Sequence, residues 1–214
     1  MTTARRLAVV LTAGLLVGLL AGCASGGPQV AQGAGVTANG EQGWHGTTVP
    51  DGYPLPAVPF TDTAGASTTL ADEARTPVTL VFFGYTHCPD ICNVVLANMA
   101  SALRGTSSAV RKDVRLVFVS TDPQRDTTKV VRGYLDRFDP RFAGLVGPVD
   151  DVAKAAGALY ISYEKPDGST GGSYQVDHGT YTTAFVGGRA RLVWSDTTPV
   201  ADIRADLVRL ARLA

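Results

Sequence analysis

The chain has 214 residues, 45% of them hydrophobic and 18% charged, which is enough apolar material to bury one domain-sized core. Its 19 basic and 19 acidic side chains balance, so overall charge draws it neither to nucleic acid nor to an anionic surface.

Residues 1–22 read as a secretion signal. Arg5 and Arg6 form a short positive region, and the apolar stretch Leu7 to Leu20 is short for a membrane span and ends in small residues. The sequence Leu20-Ala21-Gly22-Cys23 resembles the lipobox of bacterial lipoproteins. That resemblance implies cleavage before Cys23, a lipid on its thiol, and a mature chain held at the extracytoplasmic face of the bacterial cell membrane. Loss of Arg5 and Arg6 would leave a net charge of −2. Residues 23–46 are rich in Gly, Ala, Ser, Gln and Thr and read as a flexible tether. His45 closes it beside Trp44, with no partner in sequence, and reads as exposed.

Residues 47–214 read as a single mixed α/β domain. Ala57 to Thr61 and Ser67 to Leu70 suggest short strands around an Ala64-Gly65 turn. Val78 to Phe83 is an apolar run too short for a helix, as expected of a central buried strand. Pro89 to Leu103 reads as a helix burying Val94, Val95, Leu96 and Met99. A second buried strand follows at Val114 to Val119. Thr127 to Phe138 reads as a helix with Val130, Val131, Tyr134, Leu135 and Phe138 inward. Leu145-Val146 suggests a short strand and Val149 to Leu159 a helix. Thr182 to Val186 and Arg191 to Trp194 form a hairpin turned by Gly187-Gly188, and Val200 to Leu213 is a closing amphipathic helix.

The densest chemistry lies in Phe83-Gly84-Tyr85-Thr86-His87-Cys88-Pro89-Asp90-Ile91-Cys92. A buried strand ends, a glycine permits a sharp turn, and a helix starts with proline in its first turn. Cys88 then sits at a helix N-terminus, where unpaired amides and the helix dipole favour its thiolate. If the intervening turn is helical, Cys92 at i+4 shares its face, with α-carbons roughly 6 Å apart. Two such thiols outside the cytoplasm form a disulfide or clasp a soft ion, Cu(I) or zinc. Of the three histidines, His178 is the best placed by context to complete a metal site. It follows the Gly- and Ser-rich segment Asp167 to Ser173 and precedes the strand at Thr182. Spacing alone also fits an ordinary hydrogen-bonded histidine. Asp177 precedes it as an orienting group or a turn residue. Asp122 and Asp126 lie either near the site or at the cap of the helix from Thr127. His87 reads as exposed, and Asp90 as a dipole partner.

The string Gly-Tyr-Thr-His-Cys-Pro-Asp-Ile-Cys resembles the metal motif of the Sco/SenC family of copper-delivery proteins. Val119 to Thr127, Tyr134 to Phe142, Leu145 to Gly147 and Val176-Asp177-His178 are similar to further signatures of that family, in order, across residues 78–186. The chain departs at Asn93, where proline is common, and at the Val186-Gly187-Gly188-Arg189 turn. The resemblance implies a thioredoxin-like fold with one copper held by Cys88, Cys92 and His178. It also implies delivery of copper, or of reducing equivalents, to the binuclear copper A centre of cytochrome c oxidase subunit II. Another periplasmic copper donor is a further partner under that reading; nucleic acid is none.

Three activities use these atoms. A copper chaperone turns over no small substrate. A thiol–disulfide reductase would attack with Cys88 and resolve with Cys92 through a Cys88–Cys92 disulfide. Against a general oxidoreductase, three residues rather than two separate the cysteines, and no proline lies between Asp167 and Thr198. Against a peroxidase, Tyr85 stands three residues before Cys88, where peroxiredoxins usually have threonine. The copper chaperone is the favoured reading.

Overall fold

The structure, a computed structural model, describes residues 43–164 and 179–214. The secretion signal, Cys23, the tether up to residue 42, Asp177 and His178 lie outside the described residues.

The elements in chain order are β1 (Thr47–Thr48), β2 (Pro59–Asp62), β3 (Ser67–Thr69), β4 (Val78–Gly84), α1 (Ile91–Arg104), α2 (Ser108–Asp113) and β5 (Val114–Ser120). They continue with α3 (Thr128–Leu135), β6 (Ala143–Val146), α4 (Val149–Ala158), β7 (Thr182–Val186), β8 (Arg189–Trp194) and α5 (Val200–Leu213). One mixed sheet carries the strands in the order β1-β8-β7-β4-β5-β6-β2-β3. Strands β4, β5 and β6 run parallel, and the remaining pairings are antiparallel. This is the central mixed sheet with flanking helices that the sequence leads one to expect.

The continuous apolar run of β4 follows from burial on both faces. Val78, Leu80 and Phe82 join a core formed with α1, α3 and α5, whereas Val81 and Phe83 join a second core formed with α4. Strand β5 splits the same way, Leu116 and Phe118 against Val117 and Val119. Gly187 and Gly188, at φ 55° and 76°, make the two-residue turn between β7 and β8.

Two expected core residues lie outside. Val94 is 47% and Val130 40% exposed. Each stands in a run of adjacent apolar residues, and successive residues on a helix turn by about 100°, so one core-facing stripe cannot take them all. Leu213, the last residue of the closing amphipathic helix, is also exposed. Helix α1 starts at Ile91, with Asp90 as N-cap accepting from the Ile91 amide, so Pro89 precedes the helix. Helix α2 was not expected. It is six residues long, capped by the Ser107 hydroxyl, and buries no side chain, so it has no apolar period to detect.

Trp44, His45 and Gly46 bind to the domain. The Asp206 carboxylate, fully buried on α5, accepts from the backbone amides of His45 (3.2 Å) and Gly46 (2.9 Å) and from Trp194 Nε1 (2.9 Å), and lies 3.1 Å from His45 Nδ1. His45 Nε2 lies 3.7 Å from Asp202. The Arg209 guanidinium covers the Trp44 ring at 4.1 Å. His45 is thus half-exposed but well partnered, because α5 returns to it from 161 residues downstream.

Candidate metal centre

Strands β4 and β5 are parallel and in register from Val78↔Val114 to Gly84↔Ser120, so their carboxyl ends release two loops side by side. One carries Cys88 into α1, and the other carries Asp122 and Asp126 into α3. The Thr121 amide donates to the Gly84 carbonyl at 2.7 Å, which closes the seam between them.

Asp126 joins the loops. Its fully buried carboxylate accepts from the Thr86 amide (3.0 Å), the Thr86 hydroxyl (2.6 Å) and the Ser120 hydroxyl (2.7 Å). The N-cap of α3 is instead Thr127, whose hydroxyl accepts from the Val130 amide. Burial pushes the Asp126 carboxyl above the usual carboxylate range, against the opposing pull of its donors on Thr86 and Ser120. Asp122 is buried as well. Its carboxylate takes the Arg125 guanidinium, which lies over the Tyr85 ring at 5.7 Å, and its amide donates to Ser120 Oγ. His87 is exposed as expected, with Nδ1 3.1 Å from the Thr86 hydroxyl and 3.8 Å from Asp126.

Cys88 and Cys92 are both buried, with no disulfide between them. The Cys92 amide donates to Cys88 Sγ at 3.5 Å, so the sulfur sits at the amino end of α1 and takes one of its unpaired amides. Hydrogen bonding to Cys88 and then burial push the Cys92 thiol well up, and the charge of Asp126 adds to this. Tyr134 packs beside the pair. Burial, followed by the charges of Cys92 and Cys88, pushes its phenol up, and its hydroxyl donates to Asn93 Oδ1 at 3.1 Å.

Sequence reading missed the role of Gly84. No left-handed φ requires glycine there. A Cβ at this position would meet Cys92 Sγ at 3.0 Å, Phe118 at 3.0 Å and Phe82 at 3.1 Å. Glycine makes room for the sulfur rather than for a turn. Thr86 and Ser120 were also missed as partners of Asp126: Thr86 comes from a loop 40 residues away, and Ser120, six residues before it, is aimed at it only by the fold of the loop after β5.

The described residues on either side of positions 165–178 meet each other and one of the loops. The Gly179 amide donates to the Ser162 carbonyl at 2.9 Å, and the Tyr163 hydroxyl donates to the Thr121 carbonyl at 3.2 Å. Among the described residues no three His, Cys, Asp or Glu side chains gather as a complete metal site. Two adjacent, unbridged thiols are nevertheless the donor set that soft ions prefer.

The SCO1/SenC family model matches residues 57–212. The chain belongs to the SCO1/SenC family. It is 37% identical over 100 residues to the mitochondrial SCO1 homolog 1 of Arabidopsis thaliana, a match covering 47% of this chain and 30% of that protein. It thus spans well under two thirds of the length of the curated relatives it matches. Among solved structures, apo Sco1 of Thermus thermophilus superposes with a TM-score of 0.70 at 30% identity, over 83% of this chain and 99% of that one. The copper-bound ScoI of Bradyrhizobium japonicum superposes with a TM-score of 0.61 at 32% identity, over 74% and 98%. The fold is the thioredoxin-like fold of this family.

Proposed function

We propose that the protein carries one copper ion on Cys88, Cys92 and His178 and delivers it to the binuclear copper A centre of cytochrome c oxidase subunit II. The observation that carries this reading is the pair of adjacent, buried, unbridged thiols at the junction of β4 and α1 in a SCO1/SenC fold. The copper-bound Bradyrhizobium relative adds support. Copper is cargo here. Two thiolates and one imidazole suit Cu(I) or Cu(II), with binding exchangeable enough for a target cysteine to displace one ligand at a time. In sequence His178 stands four residues before Thr182 and adjoins Gly179, whose amide donates to the Ser162 carbonyl. Cleavage before Cys23 and lipidation of its thiol would keep the domain on the extracytoplasmic side of the cell membrane. Among the described residues, no helix is long and apolar enough to cross a membrane.

A second reading has its own observation. The Cys88 sulfur takes an amide at the amino end of α1 while the Cys92 thiol is pushed well up, an asymmetry a reductase needs between attacking and resolving sulfurs. The same atoms could reduce the target cysteines before metallating them.

Copper titration of the reduced chain tests the chaperone, with Cys88→Ser, Cys92→Ser and His178→Ala in parallel. The expected result is one equivalent bound with a sulfur-to-Cu(II) charge-transfer band. That band should vanish in both cysteine variants and weaken in the histidine one. The copper should then move to a reduced copper A domain. Absence of stoichiometric binding together with fast reduction of a target disulfide would leave the reductase alone.

A further inference from the structure

The balanced charge of the whole chain conceals a local excess on and beside α5. On one flank of that helix a cleft of about 370 Å³ is lined by Trp44, Val49, Pro50, Arg191, Arg209 and Leu213. On the other flank a broader groove of about 780 Å³ lies against α2, where Arg204, Arg209, Arg212 and Val208 face Val110 and Asp113. Four arginines thus line the two depressions, against one carboxylate side chain, Asp113. Arg191, Arg204 and Arg212 are exposed. Between them lie apolar groups, with Leu213 55% exposed and Trp44 half-buried.

We propose that this face docks on the anionic lipid headgroups of the membrane in which the chain's own N-terminal lipid sits; the proposal rests on the lipoprotein reading. Arginines supply the charge that anionic headgroups attract, while a tryptophan and a protruding leucine supply the amphipathic material that settles at a bilayer interface. The course of the chain gives an independent reason. Arg209 Nη1 donates to the carbonyl of Gly43, the first described residue, so the polypeptide leading back to Cys23 leaves from this same face. The 19 intervening residues reach at most about 70 Å, so under the lipoprotein reading the domain stays within that distance of the bilayer.

The register of the sheet sets the orientation that follows. Val78, at the start of β4, pairs with Val186, which pairs with Arg189, whereas Val81 aligns through Thr183 with Val193. Arg191 therefore lies toward the amino end of β4, while Cys88 follows its carboxyl end. Docking through Arg191, Arg209 and Leu213 holds the two thiols on the side turned away from the lipid, open to a partner standing above the membrane.

The test uses the chain purified from host membranes and reconstituted into vesicles with brominated acyl chains, either phosphatidylcholine alone or with about one third phosphatidylglycerol. Trp194 is fully buried, so quenching reports on Trp44. Quenching is expected to be at least twofold greater in the anionic vesicles and to fall to the neutral level in 0.5 M salt. Each arginine near an anionic surface contributes about fivefold to binding, so Arg191→Glu with Arg204→Glu and Arg212→Glu should lower partition onto added anionic vesicles by on the order of 100-fold or more. Equal quenching in neutral and anionic vesicles, or quenching indifferent to salt, overturns the proposal even if the triple variant fails to fold. The mass of the N-terminal peptide, read first, decides the lipid anchor separately. If Cys23 carries no lipid, flotation of the unanchored chain with added anionic vesicles still reads the docking.

Discussion

Gly84→Ala perturbs the candidate metal centre from behind. The added methyl would sit 3.0 Å from Cys92 Sγ, 3.0 Å from Phe118 and 3.1 Å from Phe82, all three fully buried. Carbon contacts relax at about 3.5–4.0 Å, so each neighbour must retreat by roughly half an ångström, and none borders solvent. Overpacking of this kind costs about 1–3 kcal/mol, against which loss of glycine's freedom in the unfolded chain returns about 0.4–1 kcal/mol. The net expectation is a loss of about 1–2 kcal/mol in urea unfolding of the reduced, metal-free chain. A sulfur moved by more than about 0.2 Å is also a worse ligand, so copper affinity measured against a competing chelator should fall by roughly tenfold. The decisive form is a double-mutant cycle with Cys92→Ala. Removing the sulfur removes one of the three clashes, so Gly84→Ala should cost at least about 0.5 kcal/mol less in that background. Strict additivity, or a Gly84→Ala chain with unaltered stability and copper affinity, would refute the reasoning.

Three further outcomes are expected. Burial raises the Asp126 carboxyl, so the folded chain holds that proton more tightly than the unfolded one. The resulting stability is complete below the unfolded pKa of about 4 and is lost as pH rises through the folded value, at up to about 1.4 kcal/mol per pH unit. Urea midpoints of the parent minus those of Asp126→Asn should decline with pH in that window, and a rising difference would reverse the assignment. Asp206→Ala strips the acceptor from the buried Trp194 indole and from the amides of His45 and Gly46. It should cost about 3–5 kcal/mol in denaturant melts and expose residues 43–46 to hydrogen exchange; a cost below about 1 kcal/mol would count against the clamp. Because Cys92 keeps its proton at neutral pH, copper must displace it. Affinity should therefore strengthen by about tenfold or more per pH unit between pH 6 and 8, and a pH-independent constant would place copper elsewhere.

What the sequence by itself determined is local. Two short apolar runs, Val78–Phe83 and Val114–Val119, can be satisfied only by burial on both faces, which makes them central strands. Gly187-Gly188 makes a hairpin turn, and the apolar period of 200–213 makes a helix. The cysteine motif places two thiols at a strand-to-helix junction, whatever the rest of the chain does. Even local pattern had limits, since runs such as Val94-Val95-Leu96 do not announce which member faces water. The tertiary structure alone decided everything that joins distant segments. Parallel register brings Ser120 beside Gly84, and only then does Asp126 find Thr86 and become the link between the loops rather than a helix cap. The same packing turns Gly84 from a supposed turn residue into the space a sulfur occupies. It lets α5 return to His45 and gather arginines from α5 and β8 on one face of a chain with balanced charge. Periodicity reports which way a residue points from its own backbone. Which partner it meets depends on the crossing of segments far apart in the chain, and that is set only when the core closes.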